Sequence, residues 1–228
     1  MRVALCARRK DRLERLAALI AERGGEAAVH AVDVTDPVAV PAMVDVVAAR
    51  WGRLDVLVNN AGRGLAAPVE QTTDAELRDL MELNLVAVLG ATRAALPIMR
   101  RQGSGHIINV SSVLGRRAAP YRAAYSATKF ALGALSEALR VELTGTGILV
   151  SLVYPIGTRT EFFQTEVQKV PWRPRGPVQS AEHVARSILG CVRRPRPEVY
   201  TYQPARILTI MSVLAPGLVD RVMRRVLR

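Results

Sequence analysis

Tyr125 and Lys129 are four residues apart in a stretch whose pattern predicts a helix, so their side chains should lie on one face and meet at one site. An ammonium group beside a phenol stabilises the phenolate and lowers the pKa of the tyrosine from about 10 toward working pH. A tyrosine in that setting can donate a proton and recover it. The spacing alone is modest support, because residue frequencies predict roughly 0.07 such pairs by chance.

Ser112 precedes this pair and directly follows a predicted strand over residues 106–111. Ligands in open α/β sheets bind beyond the carboxyl ends of the strands, so the Ser112 hydroxyl is placed to hydrogen-bond a substrate carbonyl. Ser111 competes for that role, and either serine could simply satisfy a strand end.

The elements that must position these residues alternate along the chain, as short apolar runs and amphipathic stretches typical of βα units. A capping box is predicted at Thr73 and Glu76. The proline-rich stretch 170–177 predicts an exposed loop near a pocket. Strands are predicted at 3–7, 28–32, 56–59, 106–111, 149–153 and, weakly, 199–202, and helices at about 13–23, from 35 onward, at 76–100 and at 122–143.

Composition favours one α/β domain over residues 1–228, with a doubly wound, Rossmann-like parallel sheet between helices. Half of the residues are hydrophobic and only 4% are aromatic, so the core must be mostly aliphatic. Cys6 and Cys191 lie far apart, and neither has metal-ligand spacing. We therefore expect a reduced, cytoplasmic protein without a metal site.

The formal charge of +12 could indicate nucleic acid or anionic membrane as a partner. The arginines recur along the chain without a single basic tract or interleaved aromatics, so we expect no nucleic-acid partner. The basic, amphipathic tail 204–228 is too short, and too interrupted at Pro216, to span a bilayer. Three roles stay open for this tail: it could pack over the substrate pocket, form a subunit interface in a homo-oligomer, or contact a membrane peripherally.

Several motifs, taken together and in order, resemble the short-chain dehydrogenase/reductase family across essentially the whole chain. They are Asn59-Asn60-Ala61-Gly62 after a strand, Asn84 within a helix, Ser111-Ser112, and Tyr125-Ser126-Ala127-Thr128-Lys129. The resemblance implies that Tyr125 is the general acid/base and Ser112 orients the carbonyl. It also implies that Lys129 holds the nicotinamide ribose and tunes Tyr125, and that Asn84 positions a relay water.

The resemblance also implies a set of cofactor-binding residues. Arg8 and Arg9 follow the strand that ends beneath the adenosine ribose, and a guanidinium suits the 2′-phosphate of NADP, which makes NAD the less favoured cofactor. The other members are Asp33 and Val34 at the adenine, Asn60, Ala61 and Gly62 after the next strand, and Thr158 and Thr160 near the carboxamide. Ile156 departs from the pattern, because the family has glycine there.

A larger departure concerns the first strand and the glycine-rich pyrophosphate turn of the family, which this sequence lacks. The chain thus begins in what resembles the second strand. We expect a truncated form of a working enzyme; a non-catalytic remnant is the alternative. This predicts no backbone ladder between strands 3–7 and 56–59, and poor NADPH binding and aggregation for these 228 residues taken alone.

The function predicted from these residues is reversible hydride transfer between NADP(H) and a carbonyl or secondary alcohol. The identity of that small-molecule substrate cannot be inferred from the sequence. A basic membrane-surface or nucleic-acid binder is the third possibility, distinguished by steep salt dependence of binding without nicotinamide affinity.

Overall fold

The computed structural model describes residues 1–174 and 176–227, with side chains up to Arg224. Its strands are β1 (Arg2–Ala7), β2 (Glu26–Ala31), β3 (Val56–Asn59), β4 (Leu65–Ala66), β5 (Gly105–Val110), β6 (Ile148–Tyr154), β7 (Thr158–Arg159), β8 (Val167–Gln168), β9 (Gln179–Ser180) and β10 (Glu198–Tyr200). Its α-helices are α1 (Lys10–Glu22), α2 (Ala39–Trp51), α3 (Asp74–Met81), α4 (Ala87–Gln102), α5 (Ala123–Glu142), α6 (Phe162–Thr165), α7 (Ala181–Arg193), α8 (Gln203–Leu214) and α9 (Pro216–Leu227). The six predicted strands are confirmed, with ends that differ by one or two residues.

All strand ladders in the described chain are parallel, as the predicted doubly wound α/β fold requires. The main sheet has the order β10-β6-β5-β3, and β1 pairs separately with β2. Because β3 and β5 are in register from Val56 opposite His106 to Asn59 opposite Asn109, their carboxyl ends finish side by side. This shared edge brings the residues that follow each strand together.

No ladder joins β1 to β3 within the described residues, as predicted. A cleft of about 2080 Å³ separates them, with Cys6 on one side and Leu57 and Val58 on the other. The same cleft continues past the carboxyl ends of β5 and β6. The β1–β2 pair is therefore attached to the rest of the fold without hydrogen bonds along β3.

The helix predicted at 76–100 is longer and less regular than expected. It runs from α3 through a π-helical segment, Glu82–Val86, into α4, and it contains Pro97. By length and composition the stretch Asp74–Gln102 could cross a membrane. Ala95 and Met99, however, pack into the core against Ile107, so we assign the helix to the core.

Helix ends follow their capping chemistry. The capping box of Thr73 and Glu76 is present, as predicted. Helix α2 begins at Ala39, and just before it the Asp36 carboxylate accepts the N–H groups of Val38 and Ala39, as a capping residue does. The tail 204–228 divides at Ala215 into α8 and α9; Arg228, like Arg175 of the proline-rich loop, lies outside the described residues.

Candidate active site

Tyr125 and Lys129 lie on adjacent turns of α5, and both side chains are buried. The Lys129 ammonium is 5.9 Å from the centre of the Tyr125 ring. It donates a hydrogen bond of 2.9 Å to the carbonyl oxygen of Val110, at the carboxyl end of β5. The helix spacing thus brings the two groups together, as predicted, and the end of β5 holds the lysine in place.

The pKa of Tyr125 differs from the sequence-based expectation. Burial raises it to about 12, outweighing the opposing effects of the Ser112 hydroxyl and the Arg122 guanidinium nearby. Burial also lowers the pKa of Lys129 to about 8. The expectation of a lowered tyrosine pKa is therefore wrong for the described structure, because desolvation is the larger effect. At neutral pH Tyr125 is a protonated phenol, able to donate.

Both serines at the end of β5 line the cleft, but their hydroxyls have different partners. Ser111 is buried and its hydroxyl donates to the carbonyl oxygen of Lys129 at 3.3 Å. Ser112 lies on the cleft wall together with Tyr125, and its hydroxyl oxygen accepts the N–H of Leu114 at 3.1 Å. Since the Ser112 proton is not used in that bond, it remains free to be donated.

Asn84 occupies the π-helical segment and is fully buried. Its amide nitrogen donates to the Arg63 carbonyl and to the Thr128 hydroxyl, both at 3.0 Å, and its oxygen accepts the Arg63 N–H at 3.1 Å. Asn84 is not among the residues that line the cleft. Its observed contacts tie the loop after β3 to α5 and leave one lone pair on its oxygen.

All of the predicted cofactor residues lie on the cleft wall. They are Arg8, Arg9, Asp33, Val34, Asn60, Ala61, Gly62, Thr158 and Thr160. At Gly62 a Cβ atom would lie 3.0 Å from the Asn84 oxygen and 3.6 Å from the Lys129 nitrogen, so a side chain there would crowd this part of the wall. The carboxyl ends of five parallel strands thus meet at one elongated cleft.

The rim at the β1–α1 turn is exposed and carries ion pairs. Arg9 donates to the Glu161 carboxylate at 2.8 Å, Arg12 pairs with the same carboxylate, and Arg8 lies 3.8 Å from Asp33. Asp33 also accepts the N–H and hydroxyl of Thr35, contacts typical of a turn residue. Arg9 is therefore held by a carboxylate rather than presented freely, which the sequence did not predict.

No pattern in the sequence predicts the buried ion pair that lies beside Tyr125. Arg122, three residues before Tyr125, pairs with Glu166 at 2.5 Å, and their side chains are 1% and 0% exposed. The Arg122 guanidinium lies 5.1 Å from the Tyr125 ring centre and 4.3 Å from that of Trp172. The parallel pairing of β4 with β8 brings Glu166 here, and two-residue strands carry no usable sequence signal.

Gly64 shows how tightly this pair is packed. A Cβ atom there would lie 2.3 Å from a Glu166 carboxylate oxygen and 2.9 Å from an Arg122 nitrogen. Phe162 covers Tyr125 edge-on, with ring centres 5.6 Å apart.

Within residues 1–174 and 176–227 no cluster of His, Cys, Asp and Glu could hold a metal ion.

Comparison with known proteins agrees with this geometry. The sequence profile of the family described as short chain dehydrogenase matches residues 1–171. The chain belongs to the short-chain dehydrogenase/reductase family. It is thus a member of a family of oxidoreductases with a Rossmann fold.

Individual proteins are similar to this short-chain dehydrogenase/reductase in sequence or in structure over parts of its length. A Drosophila melanogaster dehydrogenase/reductase SDR family protein 7-like is 34% identical over 95% of this chain and 70% of its own length. The 3-ketodihydrosphingosine reductase of Bacteroides thetaiotaomicron is 40% identical over 62% of this chain, and the match spans 52% of that reductase, about half of its length. An alcohol dehydrogenase from the archaeon Thermococcus sibiricus, solved with 5-hydroxy-NADP, superposes with a TM-score of 0.76 at 28% identity, covering 86% of this chain and 83% of that one.

Proposed function

We propose that this short-chain dehydrogenase/reductase transfers a hydride between NADP(H) and a carbonyl or secondary alcohol, with Tyr125 as the proton donor in the reductive direction. One observation carries the proposal. The buried, protonated Tyr125 shares the cleft wall with Ser112 and Lys129 at the carboxyl edge of a parallel sheet. That is where ligands of open α/β sheets bind.

The residues on the wall suit a dinucleotide. Arg8, Asp33 and Thr158 all line the cleft, and the side chain missing at Gly62 leaves the wall between Asn84 and Lys129 uncrowded. Lys129 would hold the nicotinamide ribose. When bound, the nicotinamide supplies or accepts the hydride.

The protein's own part in the reaction is to orient the carbonyl and supply the proton. The Ser112 hydroxyl would donate a hydrogen bond to the substrate oxygen and keep its proton, which polarises the carbonyl. Tyr125 would then transfer its phenolic proton to that oxygen as negative charge develops. Because burial brings the pKa of Lys129 down to about 8, this lysine can release a proton near neutral pH and help to restore the phenol.

The wall around Tyr125 favours a carbonyl compound with apolar substituents. Phe162, Phe163 and Trp172 lie on it, and the charges of Arg122 and Glu166 beside Tyr125 neutralise each other. A substrate bound against these rings would be shielded from water, which strengthens the interactions made by Ser112 and Tyr125.

The preference for NADP(H) rests on the arginines of the β1–α1 turn. Arg8, Arg9 and Arg12 all line the cleft, where a guanidinium can contact a phosphate in bidentate fashion. A 2′-phosphate would compete with Glu161 for Arg9 and Arg12. Calorimetric titration of the full-length protein, meaning the chain with the family's first strand and glycine-rich turn restored before Met1, should show tighter binding of NADPH than of NADH. Equal affinities, or tighter NADH binding, would contradict the choice of cofactor.

A non-catalytic remnant is the second candidate, favoured by the separation of β1–β2 from the main sheet. The two candidates differ in turnover. The full-length protein should oxidise NADPH in the presence of a panel of apolar ketones and aldehydes, and the rate should depend on Tyr125. NADPH binding without turnover of any compound in the panel would favour the remnant.

A further inference from the structure

Helix α8 has an inverted arrangement of polar and apolar residues. Its two buried residues, Thr209 and Ser212, are polar, and both hydroxyls donate to carbonyl oxygens of their own helix. The opposite face is apolar and exposed. It consists of Ile207, Ile210, Met211 and Leu214, at the i, i+3, i+4, i+7 spacing of one helical stripe.

The exposed fractions show that this stripe is not covered by the described chain. Ile207 is 64% exposed, Leu214 is 74% exposed, and the adjoining Val213 is 79% exposed. Leu218 and Val222 add two exposed apolar side chains from α9, which packs against α8. We call these seven residues the apolar tail face. An exposed apolar surface of this kind marks a site of association.

Positive charge borders the apolar tail face. Arg206 precedes Ile210 and Val213 at the i, i+4, i+7 spacing, and Arg221 follows Leu218 at i+3. Arg206, Arg221 and Arg224 make no ion pair with any carboxylate of the described residues, whereas Asp220, on the same helix, is paired with Arg117. Apolar side chains bordered by unpaired arginines complement a surface that is apolar below and anionic above.

The same charges disfavour a second copy of the chain as the occupant. A two-fold interface would bring the arginines of one copy against those of the other, because such interfaces are self-complementary. An anionic bilayer has no such penalty, since each basic residue near its surface gains attraction. The net charge of +12 adds to that attraction at longer range.

We propose that the apolar tail face docks the protein onto the surface of an anionic lipid bilayer. Side chains of the stripe would enter the boundary between headgroups and acyl chains, and Arg206, Arg221 and Arg224 would contact lipid phosphates. Leu208 of α8 and Met223 of α9 line the cleft that contains Tyr125, so docking would bring this wall of the cleft next to the bilayer. The inference is independent of the proposed function, because vesicle binding is measured without cofactor or turnover.

The test is co-sedimentation of the full-length protein with vesicles of phosphatidylcholine alone, or of phosphatidylcholine and phosphatidylglycerol in roughly equal amounts. We expect binding to the anionic vesicles that weakens with added salt. The double variant Ile210→Gln/Val213→Gln should lower the partition coefficient at least about tenfold, because two apolar side chains no longer enter the bilayer. Val69→Gln/Val141→Gln, at exposed sites elsewhere, is the matched control and should leave binding unchanged.

The contribution of charge is tested separately. Arg221→Gln/Arg224→Gln should weaken binding to anionic vesicles by about fivefold for each residue, with no effect on the phosphatidylcholine vesicles. Arg100→Gln/Arg101→Gln is the control of equal charge. Failure to bind anionic vesicles, or equal binding by the wild type and Ile210→Gln/Val213→Gln, would overturn the proposal. A concentration-dependent dimer abolished by that same double variant would also overturn it, in favour of a second copy.

Discussion

Two regions of the cleft wall, one around Tyr125 and one at the β1–α1 turn, are built on different principles. Around Tyr125, the polar groups of Lys129, Asn84 and Arg122 are buried and bonded to partners within the fold. At the β1–α1 turn, Arg8 and Arg9 are exposed and paired through side chains that solvent reaches. The reactive region is therefore fixed by packing, whereas the region assigned to the adenosine can exchange its partners.

This difference has a physical consequence. Buried polar groups interact strongly and are costly to leave unpaired, so a change near Tyr125 should affect both chemistry and stability. Exposed ion pairs are weak and screened by salt, so a change at the rim should affect mainly the choice of ligand.

The largest effect is expected for Tyr125→Phe in the full-length enzyme. It removes the phenolic proton and leaves the ring in place against Phe162, so kcat should fall by about 10²-fold or more while the Kd for NADPH stays nearly the same. Lys129→Ala should damage both quantities. Steady-state kinetics and calorimetry check this. If Tyr125→Phe retains more than about a hundredth of kcat, the assignment of Tyr125 as the proton donor is wrong.

The second effect concerns the buried pair beside Tyr125. Glu166→Gln leaves the Arg122 charge without its counter-ion in a place that water does not reach, so the free energy of unfolding should fall by about 3 to 5 kcal/mol. Urea unfolding measures it.

Two controls sharpen this second prediction. The double variant Arg122→Met/Glu166→Met should regain most of the loss, because it buries no charge. Glu70→Gln, at an exposed position, should cost little. A loss below about 1 kcal/mol for Glu166→Gln would show that the pair is reached by solvent.

The third effect is a pH dependence of stability that originates at Lys129. The folded pKa is about 8 and the unfolded one is the ordinary 10.5, so the unfolded state binds more protons between these values. The free energy of unfolding therefore rises with pH across that window. Relative to Lys129→Met, the wild type should gain up to about 3 kcal/mol between pH 8 and pH 10.5.

Unfolding curves of both proteins at several pH values give this difference. Tyr125, whose pKa is raised from 10 to about 12, makes the folded state bind more protons above pH 10, but it is present in both proteins and cancels in the difference. Lys10→Met, at an exposed position, should leave the profile of the wild type unchanged. A difference that does not vary with pH would mean that Lys129 is not desolvated.

The smallest effect is expected at the rim. Glu161→Gln releases Arg9 and Arg12 from their shared carboxylate, so NADPH should bind a few-fold more tightly while NADH changes little. Stability should change little, since all three side chains are exposed. Glu182→Gln, an exposed glutamate at the start of α7, is the control. Equal gains for both cofactors would indicate that the arginines do not distinguish the 2′-phosphate.

Much of the site was predictable because it depends on local periodicity. The four-residue spacing of Tyr125 and Lys129 places both on one face of any helix, and Ser112 follows a strand whose apolar run is unmistakable. The parallel order of β3, β5 and β6 then requires their carboxyl ends to share an edge. Strand positions and the capping box follow from such patterns, whereas the cofactor residues of the cleft wall were inferred from the resemblance to the family.

Only the tertiary structure decides which charged side chains pair, and whether burial or a nearby charge has the larger effect on a pKa. The sequence predicts that Lys129 lies near Tyr125 but not that burial outweighs its charge, because desolvation depends on everything packed around the phenol. Arg122 meets Glu166, and Arg9 meets Glu161, through loops that no periodicity describes. The exposure of the apolar tail face likewise depends on which side of α8 packs inward. The buried side carries Thr209 and Ser212, whose hydroxyls donate to carbonyl oxygens of the same helix.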